Sequence, residues 1–269
     1  MRSIRKTTLL AGILALSGVA AVHADDRKFT YSYEAKTLPQ GTWEFEQSAT
    51  LQTRKDAGIW NGLLLREEIE YGITDRLNAS IYLNTAYQGN TGVPGFENER
   101  SYGFESMSTE WKYKLTEPSV DWVGVLLYAE LAFSNTSYEI ETKLVLSKEI
   151  GPWTFAYNFV YEAELSQADD PDQSPQWTWE HELFNTFGIS YSFSPSFAIG
   201  IEAYDVARYD VFNGGSTRAD YAGPNVHVSS GSWWATFTIL HQVTFGRGYE
   251  FTDDDNTKWS FRLIFGVTF

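Results

Sequence analysis

The chain has 269 residues, a formal net charge of −15 and no cysteine. The length suits one barrel-sized domain rather than a small module, the acidic balance argues against a nucleic-acid partner, and the missing cysteines exclude disulfides and Cys-based metal sites. Aromatic residues are abundant, with 10 Trp, 16 Tyr and 18 Phe, although the mean hydropathy is negative; a transmembrane barrel reconciles the two, because only alternate residues of each strand meet lipid.

Arg2, Arg5 and Lys6 precede an uncharged run from Thr7 to Val22 that is rich in Leu and Ala. Val22-His23-Ala24 then has the form of an A-x-A-like cleavage site before Asp25-Asp26. This predicts a secretory signal peptide over residues 1–24, outside the fold. The run is too short and wrongly flanked for a membrane helix, and no later segment supplies one. Losing the three cations takes the formal charge to about −18. Residues 25–40 are expected as a short periplasmic N-terminal segment, extended over Phe29–Ala35 and ending in the turn Leu38-Pro39-Gln40-Gly41.

From residue 41 to 269, alternating segments between turn signals predict an all-β fold: a single antiparallel transmembrane β-barrel of about twelve strands. The segments are Gly41–Arg54, Ile59–Ile73, Leu77–Tyr87, Tyr102–Leu115, Asp121–Ser134, Ser137–Glu149, Trp153–Leu165, Trp177–Phe193, Phe197–Arg208, Gly223–Ser229, Ser232–Thr244 and Lys258–Phe269. Most reach the roughly 10 residues that a tilted strand needs to cross a bilayer. Thr74-Asp75, Glu149–Pro152, Ser194–Ser196 and Ser229–Ser232 read as tight turns. Gln88–Ser101, Ser166–Gln176, Tyr209–Ala222 and Phe245–Thr257 read as long polar loops. Short turns at one end and long loops at the other are the asymmetry of an outer-membrane barrel, and an even strand number puts both chain ends on the short-turn side.

Trp153, Phe155, Tyr157, Phe159 and Tyr161 alternate against Thr154, Ala156, Asn158, Val160 and Glu162, the apolar-out, polar-in pattern of a barrel wall. One position breaks it: Glu67 shares the outward face of Leu63, Leu65, Ile69 and Tyr71, so it lies at the membrane interface or marks a bulge. Trp43, Trp60, Tyr71, Trp111, Trp153, Trp179, Tyr191, Trp233 and Trp259 cluster near strand ends, as aromatic belts do. The last strand carries Trp259, Phe261, Leu263, Phe265, Val267 and Phe269 on one face. An aromatic C-terminal residue on such a strand resembles the closing strand of bacterial outer-membrane barrels, which implies Phe269 as an assembly signal read by the barrel-assembly machinery.

Longer motifs extend the likeness. Glu70-Tyr71-Gly72-Ile73-Thr74-Asp75-Arg76-Leu77-Asn78-Ala79-Ser80, the opening Glu34-Ala35-Lys36-Thr37-Leu38-Pro39-Gln40-Gly41 with Glu44-Phe45-Glu46, Glu141-Thr142-Lys143-Leu144-Val145-Leu146, and Gly223-Pro224-Asn225 with Trp233-Trp234-Ala235-Thr236 are similar to motifs of an uncharacterised outer-membrane barrel family related to the phenol-degradation (MetA-type) transporter-like barrels. The resemblance covers nearly all of the mature chain. It implies fold and location in the outer membrane of a Gram-negative bacterium, with outer-membrane lipids and lipopolysaccharide as surroundings. The motifs mark strands and turns rather than chemistry.

Three constellations bear on function. By parity Glu44, Glu46, Glu68, Glu70, Glu110, Glu130, Glu139, Glu141, Glu162, Glu164, Glu180, Glu182 and Glu202 face the lumen, with Arg66, Lys112, Lys114, Lys143 and Arg262. Mid-strand Glu130, Glu141, Glu162 and Glu182 fit a passive channel for small solutes with an acidic, cation-preferring lumen; alternatively the lumen is filled, and these residues pair with Lys112, Lys143 and Arg262 in a structural barrel. Second, His227 and Ser229 share a strand face in the manner of outer-membrane lipid hydrolases, with His241 where those enzymes carry an orienting residue. This is the weaker reading, and the chain is expected not to be an enzyme. Third, Asp169-Asp170 with Asp172, and Asp253-Asp254-Asp255, are acidic loops that suit solvent better than a divalent cation. No cofactor is expected, and no motif assigns a metal site.

Overall fold

The computed structural model describes residues 26–168, 176–210, 216–251 and 256–269. The expected signal peptide and both acidic loop runs therefore lie outside the described residues. Within them the chain forms β1 (Trp43–Thr53), β2 (Ile59–Thr74), β3 (Leu77–Thr91), β4 (Glu99–Thr116), β5 (Gly124–Phe133), β6 (Ser137–Ile150), β7 (Trp153–Ala168), β8 (Gln176–Ser194), β9 (Phe197–Asp210), β10 (Ser216–Ser230), β11 (Trp233–Val243) and β12 (Trp259–Thr268). Each strand pairs antiparallel with its sequence neighbours, and β12 returns to β1. Closure satisfies every strand edge, which a sheet in lipid requires.

Side-chain alternation sets the two faces. Along β5, Leu126, Tyr128 and Glu130 are buried inside, whereas Leu127, Leu131 and Phe133 are exposed outside. Outward Ile69, Ile81, Leu127, Leu131, Phe159, Phe187 and Leu263 are 43–59 % exposed. An apolar band of this extent around the barrel is a lipid-facing surface. Near the short-turn end it is bordered by Trp43 against Tyr71, Trp153 against Tyr191 and Trp233 against Phe265. Trp60, expected in that belt, is instead 2 % exposed on the inward face of β2, against Phe96 and Lys55.

Other details refine the expectations. The ladder runs unbroken through Glu67, opposite Gln47 and Leu83, and the irregularity in β2 falls at Gly72–Thr74. Glu67 is therefore on the outer face without a bulge. β3 and β4 extend beyond the expected Tyr87 and Tyr102, shortening their loop to residues 92–98. β10 begins at Ser216 rather than Gly223. Its pattern is interrupted by Gly223-Pro224, where Pro224 has no N–H for the ladder and a Cβ on Gly223 would collide with the Ile239 carbonyl.

Phe269 closes the barrel through its backbone: its N–H donates to Trp43 O at 2.9 Å, and its carbonyl accepts the Trp43 N–H at 3.2 Å. Deleting Phe269 is expected to remove both bonds and lower the yield of folded, heat-modifiable protein in gel assays. An undiminished shifted band would contradict this.

The main departure is at the N-terminal end. Residues 26–38, expected as a segment outside the barrel, lie within it, with Phe29, Ala35 and Leu38 each 0 % exposed. The physical reason is width. Eight-stranded barrels can be filled by their own side chains, whereas twelve strands enclose more room, which here is occupied by chain.

Candidate functional site in the barrel lumen

Residues 26–38 form a loop that rises from the short-turn mouth and returns to it. At its start Asp26 lies 3.4 Å from His227 Nε2. At its tip the fully buried Glu202 of β9 accepts the backbone N–H groups of Thr30 and Tyr31 at 2.9 Å and of Ser32 at 3.0 Å. The hydroxyls of Thr30 and Thr238 donate to the same carboxylate. On the way back, Asn158 accepts the Tyr33 N–H at 2.6 Å and donates to its carbonyl at 3.0 Å, and Ser147 Oγ accepts the Ala35 N–H at 2.9 Å. The Thr37 hydroxyl then donates to Asp75 O in the β2–β3 turn at 2.9 Å. Phe29 packs on Gly188, where an added Cβ would sit 2.6 Å from the ring. Tyr31 stacks on Tyr204, which stacks on Tyr221. The loop thus meets the wall through side chains rather than through a β-ladder.

Glu34 fixes the loop's own shape. Its carboxylate accepts the Lys28 N–H and the Lys36 ammonium, each at 2.8 Å. Burial pushes this carboxyl up, but Lys36 and Lys28 outweigh it and hold it below the ordinary value of 4.5. A depressed carboxyl contributes stability that is complete above its unfolded value and is lost as pH falls through the folded one. The loop is therefore expected to stay docked at neutral pH and to loosen in acid, below 4.5. A spin label on Thr37→Cys, the single cysteine in a chain with none, should show sharper lines in acid. Glu34→Gln should be looser at neutral pH and show a smaller acid response; an identical response in both proteins would contradict the assignment.

Around the loop the wall carries an in-register row of inward residues. It runs Glu44, Glu70, Ser80, Glu110, Glu130, Glu141, Glu162 and Glu182, one from each strand from β1 to β8. Strands lie about 4.8 Å apart and tilt by about 40° in barrels, so the row climbs from the short-turn mouth toward the long-loop mouth. Like charges directly opposite one another destabilise a sheet, and cations offset part of this. Arg66 is 2.6 Å from Glu130, Lys143 is 2.7 Å from Glu141, and Lys112 is 2.7 Å from Glu70 and 3.5 Å from Glu110. Arg208 pairs with Glu182. Arg262 serves the loop instead: it donates to Thr50 Oγ1 at 2.7 Å and Thr30 O at 3.3 Å, and lies 4.0 Å over the Tyr31 ring. A cavity of about 30 Å³ between loop and wall, lined by Arg27, Tyr33, Glu46, Arg66 and Glu68 among others, has room for a water molecule. A wider one of about 360 Å³ opens at the long-loop rim beside Glu105 and Glu164.

A model for a family of unknown function (DUF6662) matches residues 21–269. The chain belongs to that family. No curated protein matches it in sequence. Among solved structures it is similar to the COG4313 outer membrane channel from Pseudomonas putida F1, at 14 % identity and TM-score 0.60, covering 87 % of this chain and 98 % of that one. It is also similar to the NanC porin, at 12 % identity and TM-score 0.52, covering 84 % and 98 %. The translocator domain of the autotransporter NalP from Neisseria meningitidis aligns at 11 % identity and TM-score 0.53, covering 85 % and 88 %. At these identities the likeness establishes a shared barrel fold.

In this DUF6662 barrel the hydrolase constellation does not assemble. His227 Nδ1 lies 2.8 Å from Thr236 Oγ1 and 3.1 Å from the Arg27 carbonyl, and Nε2 faces Asp26. His241 stands on the outer face of β11 against Trp259, opposite to the lumen that His227 faces. Both rings are engaged in structure rather than aligned behind Ser229. The loop residues Arg27, Tyr31 and Tyr33, and the wall tyrosines Tyr82, Tyr204 and Tyr221, were not marked as lumen residues by sequence. Parity along β3 and β9 would have found Tyr82 and Tyr204, whereas Tyr221 falls in a stretch expected as loop.

Proposed function

We propose that this protein is an outer-membrane channel that favours cations and is held closed by its own N-terminal loop. What supports the reading is one arrangement: residues 26–38 occupy a lumen whose wall carries a row of carboxylates climbing between its two mouths. Withdrawing the loop would leave that row facing water, and lined carboxylates attract cations and repel anions over about 8 Å at physiological salt. Glu139, Glu141, Glu162 and Glu164 are already partly exposed above the loop and would form the acidic entrance on the long-loop side. The apolar outer band would meet lipid and lipopolysaccharide.

Proteoliposomes test this. A chain lacking residues 26–37 should release trapped K⁺ much faster than the intact mature chain, and should release chloride more slowly than K⁺. Equal, slow release from both would overturn the reading in favour of a purely structural barrel.

A further inference from the structure

Between β1 and β4 the lumen wall carries more carboxylates than cations. Glu44 and Glu46 of β1 stand directly opposite Glu70 and Glu68 of β2, and Ser80 of β3 stands between Glu70 and Glu110. All six side chains belong to residues no more than 4 % exposed. The ion pairs described at this group come from Arg27, 3.7 Å from Glu46, and from Lys112 on Glu70 and Glu110. Five buried carboxylates are paired here with two cations, and Arg66, which lines the adjoining cavity with Glu46 and Glu68, is paired with Glu130; the remaining negative charge must be relieved, by protons or by a further cation.

Two independent features point to the cation. Glu68 Oε1 and Ser80 Oγ are buried with no hydrogen-bond partner among the described residues, although buried polar oxygens are ordinarily satisfied. One carboxylate oxygen from each of Glu44, Glu46 and Glu70 lies within 4.8 Å of the others. One hard cation can touch all three, because oxygens on opposite sides of such an ion are about 4.2–4.8 Å apart, twice a metal–oxygen distance of about 2.1–2.4 Å. The donors are all oxygen, which selects a hard cation.

We infer that Glu44, Glu46 and Glu70, with Glu68 and Ser80 beside them, bind a hard divalent cation inside the barrel. Such an ion neutralises the stretch of wall on which Arg27, and with it the start of the N-terminal loop, is seated.

The wall supplies its own reporter. The Trp234 indole N–H donates to Glu44 Oε2 at 3.3 Å, so Trp234 can sensitise Tb³⁺ luminescence from the site. The intact mature protein, stripped with EDTA, should show saturable Tb³⁺ emission on tryptophan excitation that Ca²⁺ displaces, and Ca²⁺ should raise its Tm above that in EDTA. The double variant Glu44→Gln, Glu70→Gln should bind Tb³⁺ at least tenfold more weakly. Glu46→Gln alone, which leaves Lys112 paired with Glu70 and Glu110, should also bind at least tenfold more weakly and covers the case in which the double variant fails to fold. Absence of saturable emission, emission unchanged in the folded variants, or identical Tm in Ca²⁺ and EDTA would overturn the site and leave protons as the compensating charge. Neither readout involves ion flux, so the result is separate from the channel reading.

Discussion

Replacing Glu202 with alanine is expected to release the N-terminal loop from the lumen while the barrel stays folded. One carboxylate accepts three consecutive backbone N–H groups, from Thr30, Tyr31 and Ser32. A buried donor left without its acceptor costs about 1–3 kcal/mol. Three such donors cost more than the tip of a loop can retain, and leaving the lumen lets water satisfy them. The barrel ladder does not depend on Glu202, so β9 should persist. Hydrogen exchange read by mass spectrometry should show peptides covering residues 26–38 gaining deuterium at least tenfold faster, with strand peptides unchanged. Glu202→Gln, which keeps one acceptor oxygen, should fall between. Unaltered protection of the loop in Glu202→Ala would show that the tip is held by something else.

The second large effect is expected at Lys112. Its ammonium lies between Glu70 and Glu110, and the three side chains are 0–4 % exposed. Removing one partner of a buried ion pair typically costs about 3–5 kcal/mol, because the remaining charge is stranded. Lys112→Met keeps the bulk and deletes the charge, so urea unfolding of the heat-modifiable band should shift to markedly lower denaturant. Arg218→Ala, at an Arg218–Asp205 pair whose arginine side chain is 53 % exposed, is the comparison. Exposed pairs are worth about 0–1 kcal/mol. Equal midpoints for Lys112→Met and the unaltered protein would contradict the burial of this network.

Much of the wall was legible in the sequence. A strand's period of two separates lipid-facing from lumen-facing positions, and a one-residue slip would move every side chain to the wrong face. That is why Glu130, Glu141, Glu162 and Glu182, named from parity, fall in one continuous row. Where the pattern was interrupted the reading failed, as at the start of β10 before Gly223-Pro224. The loop was not legible, because its partners are scattered. Thr30 meets Glu202 and Arg262, and Tyr33 meets Asn158, at separations of 125–232 residues. Nothing local distinguishes Glu202 from the other inward glutamates. Of the expected ion pairs Lys143 does meet Glu141, whereas Lys112 and Arg262 go elsewhere: parity tells which face these two occupy, but not which of several nearby carboxylates, or which loop carbonyl, each one reaches.

Residues 26–38 are proposed to close a cation path. Planar-bilayer recording of the chain from residue 25 onward, beside the same chain lacking residues 26–37, decides the question. The intact protein should be mostly silent, and the shortened one should give sustained current steps with a reversal potential on the cation side, shifted most at low salt, where screening is weakest. Sustained conductance of the same size in both proteins, or silence in both, would contradict it.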